Sequence, residues 1–207
     1  MSQYEEIPRI GNEGDVTGRP PRQDAQRNRA RLLDTAAQVF QDAGADAPLD
    51  LIADRAGVAN ATLYRHFPTR RQLVGAVYAR VIDALCAEAG TRVEDGRADA
   101  LFDWFGVVVA HMQDSRGLRE TLVAAYALAP EESRAEVDEW HERVSAAALP
   151  LFTRARQAGH VDPSLRWSEV LALVTAVAGA AGEDREGAHR MLAVVTAGLR
   201  APSPATS

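Results

Sequence analysis

The chain has 207 residues, of which 46% are apolar and 25% charged, and its net charge is −6. That length allows one large domain, or a small module joined to a larger one, with a real core. The overall acidity argues against a general nucleic-acid binder, a single cysteine rules out an internal disulfide, and the longest apolar run, Val170 to Gly182, is too short to span a bilayer.

Charge is unevenly spread. Residues 1–18 carry one Arg and four acids, residues 19–71 nine Arg and six acids, and residues 72–207 thirteen Arg and nineteen acids. One stretch is therefore locally basic on an acidic chain, and all 23 basic residues are Arg. The guanidinium fork suits phosphate, although a GC-rich genome gives the same bias.

Residues 1–21 mix charge, Gly and Pro and read as a disordered arm. They lack an apolar signal segment, so a cytoplasmic location is expected. Leu33, Ala36, Ala37 and Phe40 then repeat at helical spacing, and Gly44 follows as a stop. In the next segment Leu49, Ile52, Ala53 and Ala56 form one face of a short helix. Gly57 supplies the positive φ that a tight turn needs. A second short helix follows, with Leu63 and Phe67 on its buried side.

Two short helices joined by a Gly turn make a helix-turn-helix. Its second helix would enter the DNA major groove and presents Asn60, Ala61, Thr62, Tyr64, Arg65 and His66 outward. A small Ala61 permits close approach to bases, and the Tyr64 hydroxyl suits a phosphate. His66 fits either a packing or a phosphate role. Arg70 and Arg71 open the next helix, where backbone contact is expected. Arg19, Arg22, Arg27 and Arg29 fit either a solvated face or DNA contact. The first helix lacks a side-chain cap unless Asp46 supplies one, and Asn60 is a candidate cap for the second, which would then start one residue later.

Helical spacing continues through Val74, Val77, Tyr78, Val81, Ile82 and Leu85, and through Leu101, Trp104, Phe105, Val108 and Met112. Cys86 falls within the first stripe and reads as a small buried hydrophobe. A long helix is expected over 130–157, opened by Pro-Glu-Glu and stopped at Gly159. Two Ala-rich segments, 167–182 and 185–200, are apolar over a wide face, and a Pro-rich tail covers 201–207. No period-two runs stand out, so the fold class is all-α.

The string Ala56-Gly57-Val58, then Thr62-Leu63-Tyr64-Arg65-His66-Phe67, behind a helix ending Phe40-x3-Gly44, resembles the DNA-binding domain of the TetR/AcrR family of transcriptional regulators. The likeness covers about residues 25–85, with the motif at 48–67. Arg116-Gly117-Leu118 and Arg154-Ala-Arg-Gln-Ala-Gly159 resemble an SbtR-like ligand domain. There are departures: Ala47-Pro48 stands where Thr-Ser is frequent, Ala59 where Ser is frequent, Leu51 at a usually charged position, and Arg70 in place of a frequent Lys.

The resemblance implies a three-helix DNA-binding domain at 22–71, a larger helical ligand-binding and dimerisation domain at 72–200, and about nine helices in all. It implies a homodimer on a palindromic double-stranded operator, half-sites about 10 bp or a multiple apart, repressing until a small-molecule effector releases it. The last two helices would form the dimer interface, through Val170, Val174, Val177, Ala181, Leu192, Val195 and Leu199, because those segments are apolar over more than one stripe. Trp104, Val108, His111, Tyr126 and Trp140 are candidates to line the effector cavity, with ordinary core packing as the competing reading. No cofactor, metal or membrane partner is expected. His141-Glu142 lacks the second His of a zinc motif. No phosphate loop or nucleophile elbow appears, so an enzyme is disfavoured, as is an architectural DNA protein, whose basic surface would be larger.

Overall fold

The computed structural model describes residues 21–128 and 130–200. Within them nine α-helices follow one another: α1 Pro21–Ala43, α2 Leu49–Ala56, α3 Asn60–His66, α4 Arg70–Asp95, α5 Ala100–Asp114, α6 Arg116–Tyr126, α7 Pro130–Gln157, α8 Trp167–Ala181 and α9 Arg185–Leu199. A 3-10 turn, Gly44–Asp46, links α1 to α2. Among the described residues there are no strands, as an all-α reading requires. The arm expected over 1–21, apart from Pro21, and the tail at 201–207 lie outside the described residues.

The N-terminal unit is built from the expected apolar stripes. α1 buries Leu32, Leu33, Ala36, Val39 and Phe40. α2 buries Ile52, Ala53 and Ala56 against it. Gly57 closes α2 in the left-handed region, φ 65° and ψ 40°, where a Cβ would be strained. The chain then turns at Val58 and Ala59 into α3, whose Leu63 is fully buried, with Phe67 buried just beyond its end.

Helix α4 is the beam of the molecule. Its 26 residues span about 39 Å. It starts with a capping box that the sequence reading overlooked: the Gln72 amide donates to Thr69 Oγ1 at 3.2 Å and the Thr69 amide donates to Gln72 Oε1 at 3.3 Å. α4 packs on α1, then on α5, α6 and α7, so it runs from the helix-turn-helix into the C-terminal domain. Trp104 on α5 is fully buried, and its indole N–H donates to the Leu85 carbonyl at 3.2 Å. Cys86 is half-buried on α4, and burial pushes its thiol pKa up, which fits a packing role rather than a reactive one.

Helix α6 was not anticipated, and it joins the two domains. It packs on α1, on the 3-10 turn and on α4. Gly117 makes that possible: a Cβ there would stand 2.8 Å from the Phe40 carbonyl oxygen and 2.9 Å from that of Gln41. Arg116-Gly117-Leu118 is therefore a backbone docking point. α7 continues through Pro150. α8 and α9 pair antiparallel across Gly182, at φ 58°. The Asp184 carboxylate caps α9, accepting from the Gly187 amide at 2.7 Å.

Candidate functional site

On α3, Asn60, Ala61, Tyr64 and Arg65 are exposed, while Thr62 and His66 are half-buried. Four of the six residues expected to face DNA are thus open to solvent, with Leu63 and Phe67 buried behind them. Among the described residues Arg65 forms no ion pair. Neither Asp46 nor Asn60 acts as a side-chain cap. Pro48 and Ala59 occupy the N-cap positions of α2 and α3 in extended conformation, and neither helix has a side-chain cap. The first amides of both helices therefore have no side-chain acceptor.

Arg70, expected to contact a DNA phosphate, also makes contacts within the protomer. It is half-buried and donates to the Ala47 carbonyl, with its guanidinium 5.7 Å from the Phe40 ring centroid. It ties the start of α4 to the connection between α1 and α2. Arg29 is exposed and lies over Phe67 at 5.3 Å, and Arg27 is exposed. His66 Nε2 is buried without a hydrogen-bond partner among the described residues.

The C-terminal domain holds a cavity of about 680 Å³ between α4, α5, α6, α7 and α8. Apolar walls come from Ile82, Leu85, Leu122, Val144 and Leu171. Of the five residues expected to line it, Val108 and Trp140 do. Trp104 is spent in the core beside Phe105 and Trp167. His111 lies outside the cavity, with Nδ1 3.2 Å from the Val107 carbonyl. Tyr126 lies behind the wall, stacked on Trp140 with ring centroids 5.9 Å apart and planes at 25°. Tyr78, Arg119 and Ser145 line the cavity and were missed.

From Trp140 a chain of contacts leads to the DNA-binding unit. Arg71 stands over the Tyr126 ring at 5.5 Å and pairs with Glu136 at 3.0 Å. Gly75 leaves room for this cluster, because a Cβ there would be 2.6 Å from the Tyr126 hydroxyl and 2.9 Å from Glu136 Oε1. Burial first, and the Glu136 carboxylate second, push the Tyr126 hydroxyl pKa far up. Arg71 follows Arg70, so Tyr126 and Arg71 stand between Trp140 on the cavity wall and Arg70 at the start of α4.

Six of the seven residues assigned to the dimer interface are already buried inside the protomer: Val170, Val174, Val177, Ala181, Leu192 and Leu199. α8 and α9 pack against each other and against α5, and that packing consumes this stripe. Val195 is half-buried. A different stripe faces outward, with Val194 73% exposed, Leu173 47% and Met191 41%. Ala176, Ala180 and Ala197 are also exposed on these two helices.

Residues 32–77 match the family model for bacterial regulatory proteins of the tetR family, and residues 97–201 match the C-terminal domain of SbtR-like transcriptional regulators. The chain is similar to a TetR regulatory protein of known structure from Mycobacterium vanbaalenii: 32% identity, TM-score 0.67, covering 87% of this chain and 99% of that one. It is also similar to the regulator SCO0520 from Streptomyces coelicolor, at 29% identity and TM-score 0.64, over 85% of this chain and 99% of that one. LfrR from Mycobacterium smegmatis, solved with proflavine, shares the fold at 24% identity and TM-score 0.52, over 85% of this chain and 96% of that one. The transcriptional activator FasR of Mycolicibacterium smegmatis is 34% identical over 61% of this chain and 59% of its own length. The transcriptional repressor KstR of Mycobacterium tuberculosis is 29% identical over 66% of this chain and 62% of its own. Each of these two matches spans less than two thirds of the relative. With both domains matched in order on the expected fold, the chain belongs to the TetR family of bacterial transcriptional regulators.

Proposed function

We propose that this protein is a homodimeric repressor that holds a palindromic operator through α3 and releases it when a small molecule fills the C-terminal cavity. The observation that carries this reading is the unbroken path from cavity to DNA-facing unit: Trp140 on the wall, Tyr126 stacked behind it, Arg71 over Tyr126, and Arg70 clamped to Ala47. Asn60, Ala61, Thr62 and Arg65 read bases, and Tyr64 with His66 contacts the backbone. Dimerisation uses the outward stripe of α8 and α9, Leu173, Met191 and Val194, whose exposure in a protomer calls for a partner surface. Two copies double the base contacts of a seven-residue recognition helix. Occupation of the analogous fold in LfrR by proflavine supports a small-molecule effector.

The test is a gel shift on the DNA upstream of the protein's own gene, with sedimentation of the free protein. A sedimenting dimer that binds a two-fold site, together with a rise in transcript when the gene is deleted, supports the proposal. A monomer, or no binding to that DNA, refutes it. Activation is the second reading, favoured by the likeness to FasR. It predicts a fall in transcript on deletion.

A further inference from the structure

Among the described residues seventeen line the cavity, and no carboxylate is among them. Its fixed charge is Arg119 on α6, and the His141 imidazole on α7 lines the same space. Six other arginines, Arg71, Arg80, Arg97, Arg116, Arg143 and Arg185, each stand against an acid, and no other arginine lines this cavity. Arg119 forms no ion pair among the described residues, although the chain carries more acids than bases. It is half-buried, with a largely apolar void beside it. Its Nη1 donates to the Met112 carbonyl at 3.1 Å.

That bond is itself useful, because Met112 lies in the last turn of α5, whose carbonyls lack helical partners. A cap of this kind occupies one of the five guanidinium N–H groups and leaves the full charge without a counter-ion. A helix end supplies about half an elementary charge in compensation. A half-buried cation facing apolar walls attracts an anion strongly, since charge-assisted contacts gain where water is excluded. The field of Arg119 also reaches the opposite wall, where it opposes the upward push of burial on the Tyr78 hydroxyl.

We propose that the cavity takes an amphipathic organic anion, an apolar carbon body carrying one carboxylate, sulfonate or phosphate group, with that group bound at Arg119. The inference rests on the reading of this cavity as the effector site. The body lies among Ile82, Leu85, Leu122, Leu171 and the Trp140 ring, and a volume near 680 Å³ accommodates a drug-sized molecule.

Two fluorescent probes separate charge from shape: 8-anilinonaphthalene-1-sulfonate and N-phenyl-1-naphthylamine, the same ring system without the sulfonate. Both are titrated into the full-length wild type and into Arg119→Gln, Arg119→Lys and Leu171→Trp, with each fold checked by circular dichroism. Arg119→Gln is expected to weaken the sulfonate by about tenfold or more and the neutral probe far less, while Arg119→Lys retains most of the sulfonate affinity. Leu171→Trp narrows the cavity and weakens both probes. In the wild type alone, naphthalene-2-carboxylate should displace the sulfonate probe and the matched cation, naphthalen-2-ylmethanamine, should not. Equal losses of both probes in Arg119→Gln, or displacement by the cation, overturn the anion assignment while Leu171→Trp still upholds the cavity. If neither probe binds, or Leu171→Trp leaves both bound, the cavity reading fails and the proposal with it.

Discussion

The two working regions solve opposite packing problems. Behind α3 the interior is full: Leu63, Phe67, Ile52, Ala53 and Phe40 are buried, and the recognition face rests on them. Between α4, α5, α6, α7 and α8 the packing leaves a space of about 680 Å³. A surface that reads bases must hold its side chains in fixed register, so it needs a dense support. A surface that responds to a ligand must have two arrangements of similar energy, and an unfilled space provides the second. The same chain therefore spends its rigidity at one end and its deformability at the other, with α4 running between them.

The largest effect that would break this comparison is a charge in the C-terminal core. Val177→Glu buries a carboxylate among apolar neighbours and should cost several kcal/mol, giving loss of the thermal transition rather than soluble monomers. Val194→Glu, on the exposed stripe, should leave the melting curve nearly intact and convert dimer to monomer in sedimentation. If Val177→Glu instead melts like the wild type and runs as a monomer, the interior and exterior stripes of α8 have been interchanged.

Next come paired truncations. Leu63→Ala opens a cavity where packing is dense and should cost about 2–5 kcal/mol, with loss of DNA binding. Leu171→Ala borders space that already exists and should fall below that range. Urea denaturation measures both, and equal costs would contradict the contrast drawn here. Smaller again is Arg65→Ala, which should lose about 1–3 kcal/mol of discrimination at one base position, read by selecting sites from random DNA. Thr69→Ala, which removes the capping box of α4, should cost about 1 kcal/mol of stability. It should leave the selected motif unchanged.

Why one region was legible in the sequence and the other was not follows from where their contacts lie. The helix-turn-helix announces itself locally. Gly57 marks the turn, and Leu49, Ile52, Ala53 and Ala56 mark the inner face within one stretch of chain. The outward residues then follow by helical geometry. The cavity is assembled from five helices far apart in sequence, so an aromatic residue in an apolar stripe carries no sign of whether it borders a void. Trp104 and Trp140 look alike in sequence, yet one is locked to the Leu85 carbonyl and the other faces the space. Arg70 carries a contact that sequence does not show: its guanidinium donates to the Ala47 carbonyl, which lies 23 residues away and is brought near only by the fold. On α8 and α9 the reading recognised apolar character on more than one stripe, but only the packing on α5 decides which stripe turns inward.

Gly117 gives the joint between these regions a particular mechanical quality. Where side chains separate two helices, a push on one is partly absorbed, because rotamers swing and small gaps close. At Gly117 no such padding exists: α6 meets the Phe40 and Gln41 carbonyls backbone to backbone. Helix α6 also carries Arg119 and Leu122 into the cavity wall. A displacement of α6 by an occupant is therefore passed to the end of α1 with little slack, as in a linkage with no play between its parts. The response of the protein to its effector should then scale with how far α6 moves.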